Sequence, residues 1–538
     1  EGDERASARK CAVTALVAFL CIKKKVDASD IAVLEQRCGD ESIATRKCAA
    51  GGLTELLLAA KENVDLELAW ARSVLPLAMD TEVTCVNKGL ELFRQVVLVP
   101  LLNADDEKDA MSAWRILSKM SDSGGSSRSG AKGGMNALKT ALKRNLDDFP
   151  ENSLPLLKIL KVAAVKSLGL ETTKIKLFAQ SITFMREGVW CMLEAFASCS
   201  SITASNKNRN GPSSGTGNST KSFDLISAVK KSKLDGSFLV SAWDKFRELR
   251  SKPDDIPDNR MLISIACSTR SCLKVVSELA SIVPTADAKQ SAKSMKSLLV
   301  NFAIDPPLIS SCIHALTSLT VTSSDTKDAA VKSCEDWVGS LYERCEKKLE
   351  QFMNSNVKNF AALDRALFTV GEASMVGFTV DEDSAALALK KKKKKSTSSH
   401  AFFAGCDDDG KEDKPKKGNK KKSTESWTTG IHVTPPPRLV ELIHYLLPPK
   451  MPHNVGNKVE IENPANARAL AFVALGKVCL RNAELAKDIV NILASELHFD
   501  RNDVETSNSS AAVRSNALVV LGDLCVRYTS LVDRQLPA

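Results

Sequence analysis

Residues 2–20 read GDERASARKCAVTALVAFL, and residues 39–57 read GDESIATRKCAAGGLTELL. Nine residues are identical between the two stretches at a constant offset of 37. In the first copy Ala12, Leu16 and Leu20 are spaced as one apolar face of a helix, and the second copy repeats that face. The pair of stretches therefore predicts an amphipathic helix that occurs twice, each time after a turn that contains an aspartate.

A second repeat lies near the other end of the sequence, at an offset of 46. Residues 468–479 (RALAFVALGKVC) and 514–525 (RSNALVVLGDLC) share an arginine, a valine, a leucine, a glycine and a cysteine, and residues 484–497 predict a partner helix between them. Two helices per period of about 40–47 residues are typical of HEAT-type repeats. Since one helix pair cannot bury its own apolar face, the pairs must stack. We therefore predict an all-α fold, an α-solenoid of HEAT-type helix pairs.

Composition agrees with stacked helices. Hydrophobic residues make up 43% of the 538 residues, but aromatic residues only 5%, so aliphatic and small side chains fill the apolar positions. No stretch is predicted to span a membrane. The 15 cysteines occur singly, without a CxxC pair, which predicts buried free thiols in a reducing compartment rather than a metal site or disulfides.

The positive charge is concentrated in one segment. Residues 390–422 contain 13 lysines and five acids, so they carry +8 of the net charge of +9, and the remaining chain is nearly neutral. Adjacent like charges repel and bury no apolar surface, which predicts disorder over 381–437. The two lysine clusters comprise Lys390, Lys391, Lys392, Lys393, Lys394, Lys395, Lys414, Lys416, Lys417, Lys420, Lys421 and Lys422.

Three interpretations of the lysine clusters remain open: a nuclear import signal, salt-dependent contact with DNA phosphates, and a solvated linker without a partner. Thr434 precedes Pro435 and is a candidate phosphorylation site. The alternative is that the prolines only prevent a helix from starting earlier.

Two further stretches, one Gly/Ser-rich and one polar, are predicted to interrupt the helical array. The predicted organisation is a HEAT-repeat array over 1–120, a Gly/Ser linker over 121–135, helical repeats over 136–199, a flexible loop over 200–222, helical repeats over 223–380, the lysine-rich insertion over 381–437 and truncated repeats over 438–538.

The sequence contains no motif that we recognise as catalytic. None of the six histidines has a carboxylate or cysteine at a recognisable catalytic spacing. The stretch GCDDDGK over 405–411 matches the start of a phosphate-binding loop, but Glu412 follows where a Ser or Thr is required and three aspartates would repel phosphate. We expect no catalytic residue, cofactor, metal or small-molecule substrate.

The arginines at the repeat starts predict a structural ladder. Arg9 and Arg46 are equivalent at the first offset, and Arg468 and Arg514 at the second. In stacked repeats such residues pair with an aspartate of a turn, either in the same repeat or in the next one. Asp40 lies six residues before Arg46, as Asp3 does before Arg9, so a ladder of ion pairs is expected rather than a ligand site.

Residues 471–479 (AFVALGKVC) and 514–537 (RSNALVVLGDLCVRYTSLVDRQLP) resemble the HEAT-repeat D subunit of condensin. The N-terminal half is more similar to the condensin II version, in the stretches Ala69-Trp70, Val74-Leu75-Pro76, Met79-Asp80, Leu90-Glu91, Ala113-Trp114 and Leu117-Ser118-Lys119. The residues that carry the motif, expected to be mostly structural, are Arg468, Arg514, Asp523, Arg527, Tyr528 and Asp533.

This resemblance implies a non-catalytic scaffold that binds the kleisin subunit, which bridges the SMC ATPase heterodimer. It implies further partners, namely a second HEAT subunit and DNA or chromatin, with a location in the nucleus and on mitotic chromosomes. Import carriers are a further expected partner, because of the lysine clusters. Since the sequence starts at Glu1 without a methionine and stops at Ala538 where a new element begins, we also expect it to be part of a longer protein. The alternatives are another nuclear HEAT scaffold, such as a transport receptor or a cohesin loader, and a DNA-binding module that acts through the lysine clusters.

Overall fold

The computed structural model describes residues 5–23, 25–60, 63–103, 107–121, 130–169, 179–206, 225–232, 234–251, 259–355, 359–377, 431, 433–448, 464–497 and 511–528. Throughout these ranges the regular secondary structure is helical. The α-helices in chain order are α1 Ala6–Lys23, α2 Ala28–Cys38, α3 Ile43–Ala59, α4 Val64–Ser73, α5 Val83–Phe93, α6 Val99–Leu102, α7 Glu107–Ser121, α8 Gly130–Asp148, α9 Ser153–Gly169, α10 Ala179–Asn206, α11 Leu225–Ser232, α12 Gly236–Ser251, α13 Asn259–Glu278, α14 Thr285–Val300, α15 Pro306–Ser323, α16 Lys327–Asn354, α17 Phe360–Ser374, α18 Pro437–His444, α19 Ala465–Cys479, α20 Ala483–Leu497 and α21 Ala511–Arg527.

Both sequence repeats appear as repeated helices. Helix α3 begins 37 residues after α1, and α21 begins 46 residues after α19, the two offsets found in the sequence. Helix α1 packs on α3, and α19 packs on α21. The predicted all-α fold of stacked helix pairs is therefore confirmed.

The chain divides into two compact units, and the first covers residues 1–291. In this unit α1, α3 and α5 pack side by side in one layer, while α2, α4, α7, α10 and α13 follow one another in a second layer. The layers meet where α3 contacts both α2 and α4. Each successive pair thus buries an apolar face that the preceding pair leaves open, which is how an α-solenoid forms a continuous core.

The second unit covers residues 292–538. Helices α15, α17, α19 and α21 pack in sequence in one layer. Helices α16 and α18 contact each other on the other side, and α20 packs against both α19 and α21. The central helix α19 is almost entirely buried, including Phe472 and Leu475.

Side-chain caps determine where several helices begin. Ser42 accepts a hydrogen bond from the Thr45 amide at the start of α3, and Asn63 accepts two from the first turn of α4. Asp27 and Asp30 form a capping box at the start of α2. Pro437 is the first residue of α18, a position where its missing N–H costs no hydrogen bond.

Two predicted breaks are shorter than expected, because helices extend into them. Helix α8 begins at Gly130, inside the predicted linker over 121–135, and α10 continues to Asn206, inside the predicted loop over 200–222. Once a helix is nucleated, each further residue adds one hydrogen bond, so even polar residues and a few glycines are accommodated at its ends. The predicted insertion over 381–437 lies outside the described residues except for 431 and 433–437.

The cysteines of the described ranges are free thiols, and most are buried. Burial raises the pKa of the Cys38 thiol to about 12, so this group stays protonated at neutral pH. Among the described helices, none is both long and apolar enough to cross a membrane.

Candidate functional site

The interface between the first two repeats contains a buried carboxylate, and such an interface between adjacent repeats is called a joint below. Asp40 lies in the turn before α3, and its side chain is only 2% exposed. It accepts hydrogen bonds from Arg9 Nε at 2.9 Å and Nη2 at 2.8 Å, from Arg37 Nη1 at 3.1 Å and from the Ser42 amide at 2.9 Å. The Arg9 guanidinium, followed by the Ser42 amide and Arg37, holds the pKa of Asp40 well below its ordinary value.

The next joint repeats this arrangement. Arg46, the equivalent of Arg9, donates from Nη2 to Asp80 Oδ1 at 3.1 Å, and from Nη1 to the Asp40 carbonyl at 2.8 Å. Each arginine thus pairs with the side chain of the turn aspartate in the following repeat. Of the two possibilities left open by the sequence, the structure shows the pairing with the next repeat.

Buried glutamates connect the second layer of the same unit. Glu67 on α4 is fully buried and accepts from Arg115 Nε on α7 at 2.6 Å. On α10, Glu187 accepts from Arg260 of α13 at 3.0 Å. Also on α10, Glu194 accepts from Lys274 Nζ at 2.7 Å and from Ser271 Oγ at 2.8 Å, both on α13. Successive helices are therefore tied together by ion pairs that lie within the apolar joints.

The motif residue Arg468 is the central polar group of the second unit. Its side chain is 2% exposed, and its Nε donates to the Leu447 carbonyl at 2.8 Å, just after α18. Its Nη2 donates to both carboxylate oxygens of Glu496 on α20, at 3.1 and 3.0 Å. One side chain on α19 thus binds the end of α18 and the face of α20.

Three helices of the second unit are also joined at their C-terminal ends. Lys477 of α19 forms an ion pair with Glu372 of α17, and Arg481 Nη2 donates to the Val376 carbonyl at 2.6 Å. The Tyr528 hydroxyl, after α21, donates to the Leu480 carbonyl at 2.9 Å. These contacts align the ends of α17, α19 and α21.

Glycines allow the same helices to approach closely. A Cβ atom placed on Gly371 would lie 3.2 Å from Ala474 Cα, and one placed on Gly476 would lie 2.4 Å from Val520 Cγ1. Gly522 is equivalent to Gly476 at the offset of 46, yet a Cβ there would meet no described atom within 4 Å. Beside it, Leu518 and Val519 are each 61% exposed.

The other motif residues lie on or after α21. Asp523 is exposed, Arg514 and Arg527 are half-buried, and the Arg527 guanidinium lies 5.9 Å from the Tyr528 ring centroid. Asp533 lies outside the described residues, as do Asp3 and every lysine of the two clusters. Thr434 is described and exposed. Phosphorylation of Thr434 and the functions of the lysine clusters therefore stay predictions.

Sequence reasoning missed several groups at these joints. Glu496 and Glu372 carry no repeat signature, and Lys477 pairs across 105 residues of sequence. The spacing of Lys477 and Arg481, one helical turn apart beside the second repeat, is the only signal that could have indicated them.

The arrangement is suited to holding helices, and it contains no recognisable reaction centre. In the ranges that the structure describes, no three His, Cys, Asp or Glu side chains are placed to hold a metal ion. The buried carboxylates of Asp40, Glu67, Glu187 and Glu194 each pair with an arginine or a lysine. Among the described histidines, His314 is exposed, and burial lowers the pKa of His444.

Stacked helix pairs with ion-paired joints have the architecture of a HEAT-type α-solenoid. A family model described as condensin-2 complex subunit D3-like HEAT repeats matches residues 450–497. The chain is 24% identical over 546 residues to condensin-2 complex subunit D3-L of Xenopus laevis, an alignment that covers 100% of this chain and 29% of that protein. It is 22% identical over 547 residues to condensin-2 complex subunit D3 of Mus musculus, covering 99% and 29%.

The resemblance to the condensin HEAT-repeat D subunit, in its condensin II version, is confirmed over the whole chain. The chain spans less than a third of the length of these two relatives, at 29%. Among solved structures, the S. pombe condensin Cnd3–Cnd2 subcomplex matches with 14% identity and a TM-score of 0.35, covering 99% of this chain and 60% of that one.

Proposed function

We propose that this chain is part of a non-catalytic scaffold subunit of a condensin complex, of the condensin II type. It binds the kleisin subunit, and through it the SMC ATPase heterodimer and the second HEAT subunit, and it supports chromosome condensation in the nucleus during mitosis. The observation that carries this proposal is the similarity to condensin-2 D3 proteins along the full chain.

The physical character of the molecule supports the same function. A helical-repeat array offers long surfaces to extended partner segments, because each pair adds exposed faces without needing a larger core. The described joints contain closed ion pairs and buried thiols instead of an activated nucleophile or an acid–base pair. The other nuclear HEAT scaffolds and the DNA-binding module remain the alternatives.

Affinity purification of the full-length protein from mitotic extract, with partners identified by mass spectrometry, tests the proposal. We expect two SMC ATPases, a kleisin and a second HEAT protein, because the scaffold holds them together. The matched control is a variant in which residues 390–422 are replaced by a Gly/Ser segment of equal length, and it should recover the same partners. Recovery of import carriers and nucleic acid alone, lost in that control, would contradict the scaffold and favour the DNA-binding module.

A second candidate function is specific to the lysine clusters and compatible with the first. The segment 390–422 carries +8 in an otherwise nearly neutral chain. Import carriers bind clustered lysines as nuclear localisation signals. Clustered lysines also neutralise DNA phosphates and release counterions. We therefore assign nuclear import and non-specific DNA contact to this segment.

The Gly/Ser replacement of 390–422 tests both activities of the lysine clusters. We expect the fluorescently tagged variant to lose nuclear accumulation. We also expect the slope of log affinity against log salt for duplex DNA to become shallower by about 3 or more, since each phosphate contact contributes about 0.9. If neither nuclear accumulation nor the salt slope changes, both assignments are wrong.

A further inference from the structure

Helices α9 and α11 pack against each other in the first unit. Together they contain five lysines and no aspartate or glutamate. Four of these lysines are exposed, namely Lys158, Lys166, Lys230 and Lys231. Within the described part of the chain, none of the four forms an ion pair.

Apolar side chains lie between these charges. Val162 is 57% exposed and Val165 is 48% exposed, and Ile226 on α11 is 43% exposed. On α9 the positions 158, 162, 165 and 166 follow the i, i+4, i+7, i+8 spacing that defines a single helix face. This face is separate from the buried side of α9, where Leu156, Leu157 and Leu160 face the core.

We propose that this face, the α9–α11 surface, docks an acidic amphipathic segment of a partner protein. The surface comprises Lys158, Val162, Val165, Lys166, Ile226, Lys230 and Lys231. Carboxylates of the partner meet the lysine ammonium groups, and its apolar side chains cover the valines and the isoleucine. This docking surface is independent of the scaffold function proposed above.

The apolar residues distinguish a peptide from a nucleic acid. A duplex would contact the lysines through its phosphates, but it would leave the two valines facing water or charged oxygens. Neither α9 nor α11 contains an arginine or an aromatic residue for contact with bases. Partly buried apolar contact flanked by charge is the usual composition of a protein interface.

Fluorescence anisotropy with the full 538-residue chain tests the α9–α11 surface. The probe is a labelled helical peptide with glutamates on one face and leucines on the other. We expect saturable binding that weakens at least about tenfold in the variant Val162→Ser/Val165→Ser, and again in Lys158→Glu/Lys166→Glu. These exposed substitutions should leave the thermal unfolding midpoint unchanged.

Matched controls separate this surface from exposed residues in general. Val83→Ser removes a valine that is 69% exposed on α5, and Lys332→Glu reverses an exposed lysine on α16; both should bind the acidic peptide like the unmodified chain. The proposal is overturned if the acidic peptide does not bind, or if the α9 variants bind it normally. It is also overturned if duplex DNA is bound at this face, lost in the lysine variant and retained in the valine variant.

Discussion

Replacing Arg468 by alanine is expected to lower the free energy of unfolding of the second unit by about 3–5 kcal/mol. The buried guanidinium binds the Leu447 carbonyl and both oxygens of Glu496. Its removal leaves a carboxylate in a largely buried site without its partner, and that uncompensated charge causes the loss. Urea denaturation followed by circular dichroism measures the loss, and hydrogen exchange of α19 and α20 localises it.

The matched control for Arg468 is Lys487→Ala on the neighbouring helix. Lys487 forms an ion pair with Glu484, but the two side chains are 51% and 83% exposed. Since solvent screens such pairs, the control should change the stability by less than about 1 kcal/mol. Equal effects of the two substitutions would show that the Arg468 contacts do not hold α18, α19 and α20 together.

Replacing Asp40 by alanine is expected to destabilise the first unit by a similar amount, about 3–5 kcal/mol. Asp40 accepts hydrogen bonds from two arginines and from the amide before α3, so alanine removes the buried carboxylate that all of these donors share. The control is Glu91→Ala, which removes a 63% exposed partner of Lys88. Protection of α1 and α3 amides from hydrogen exchange should fall in the first variant only.

The pH dependence of the Asp40 contribution follows from its lowered pKa. A carboxyl group with a lowered folded-state pKa stabilises the fold fully above its unfolded pKa of about 4, and the stabilisation is lost as the pH falls further. The difference in stability between the unmodified chain and Asp40→Ala should therefore be constant near neutral pH and shrink below about pH 4. A difference that grows on acidification would contradict the ion-paired state.

The pairing of helices could be predicted from the sequence because it depends on local periodicity. The offset of 37 places Arg9 and Arg46 at equivalent helix positions, and both arginines pair with turn aspartates. Which aspartate each one selects depends on how far one helix pair is displaced from the next. That displacement is a packing property, and the spacing of residues along the chain does not determine it.

Contacts between distant segments could not be predicted for the same reason. Lys477 meets Glu372 only because α17 and α19 become neighbours across the long intervening insertion. The α9–α11 surface likewise requires two helices separated in sequence by α10, and each helix alone shows only a few lysines. Composition did indicate the charge of 390–422, because a charge run requires no knowledge of packing.

The close approaches at Gly371 and Gly476 have a mechanical consequence. Ala474 packs against Gly371, and Val520 packs against Gly476. Because side chains of one helix fit against glycines of the next, α17, α19 and α21 should resist sliding along their axes. Elements connected one after another carry the same tension, and their extensions add. Under a pulling force across the second unit, these closely packed helices should therefore contribute little to the total extension.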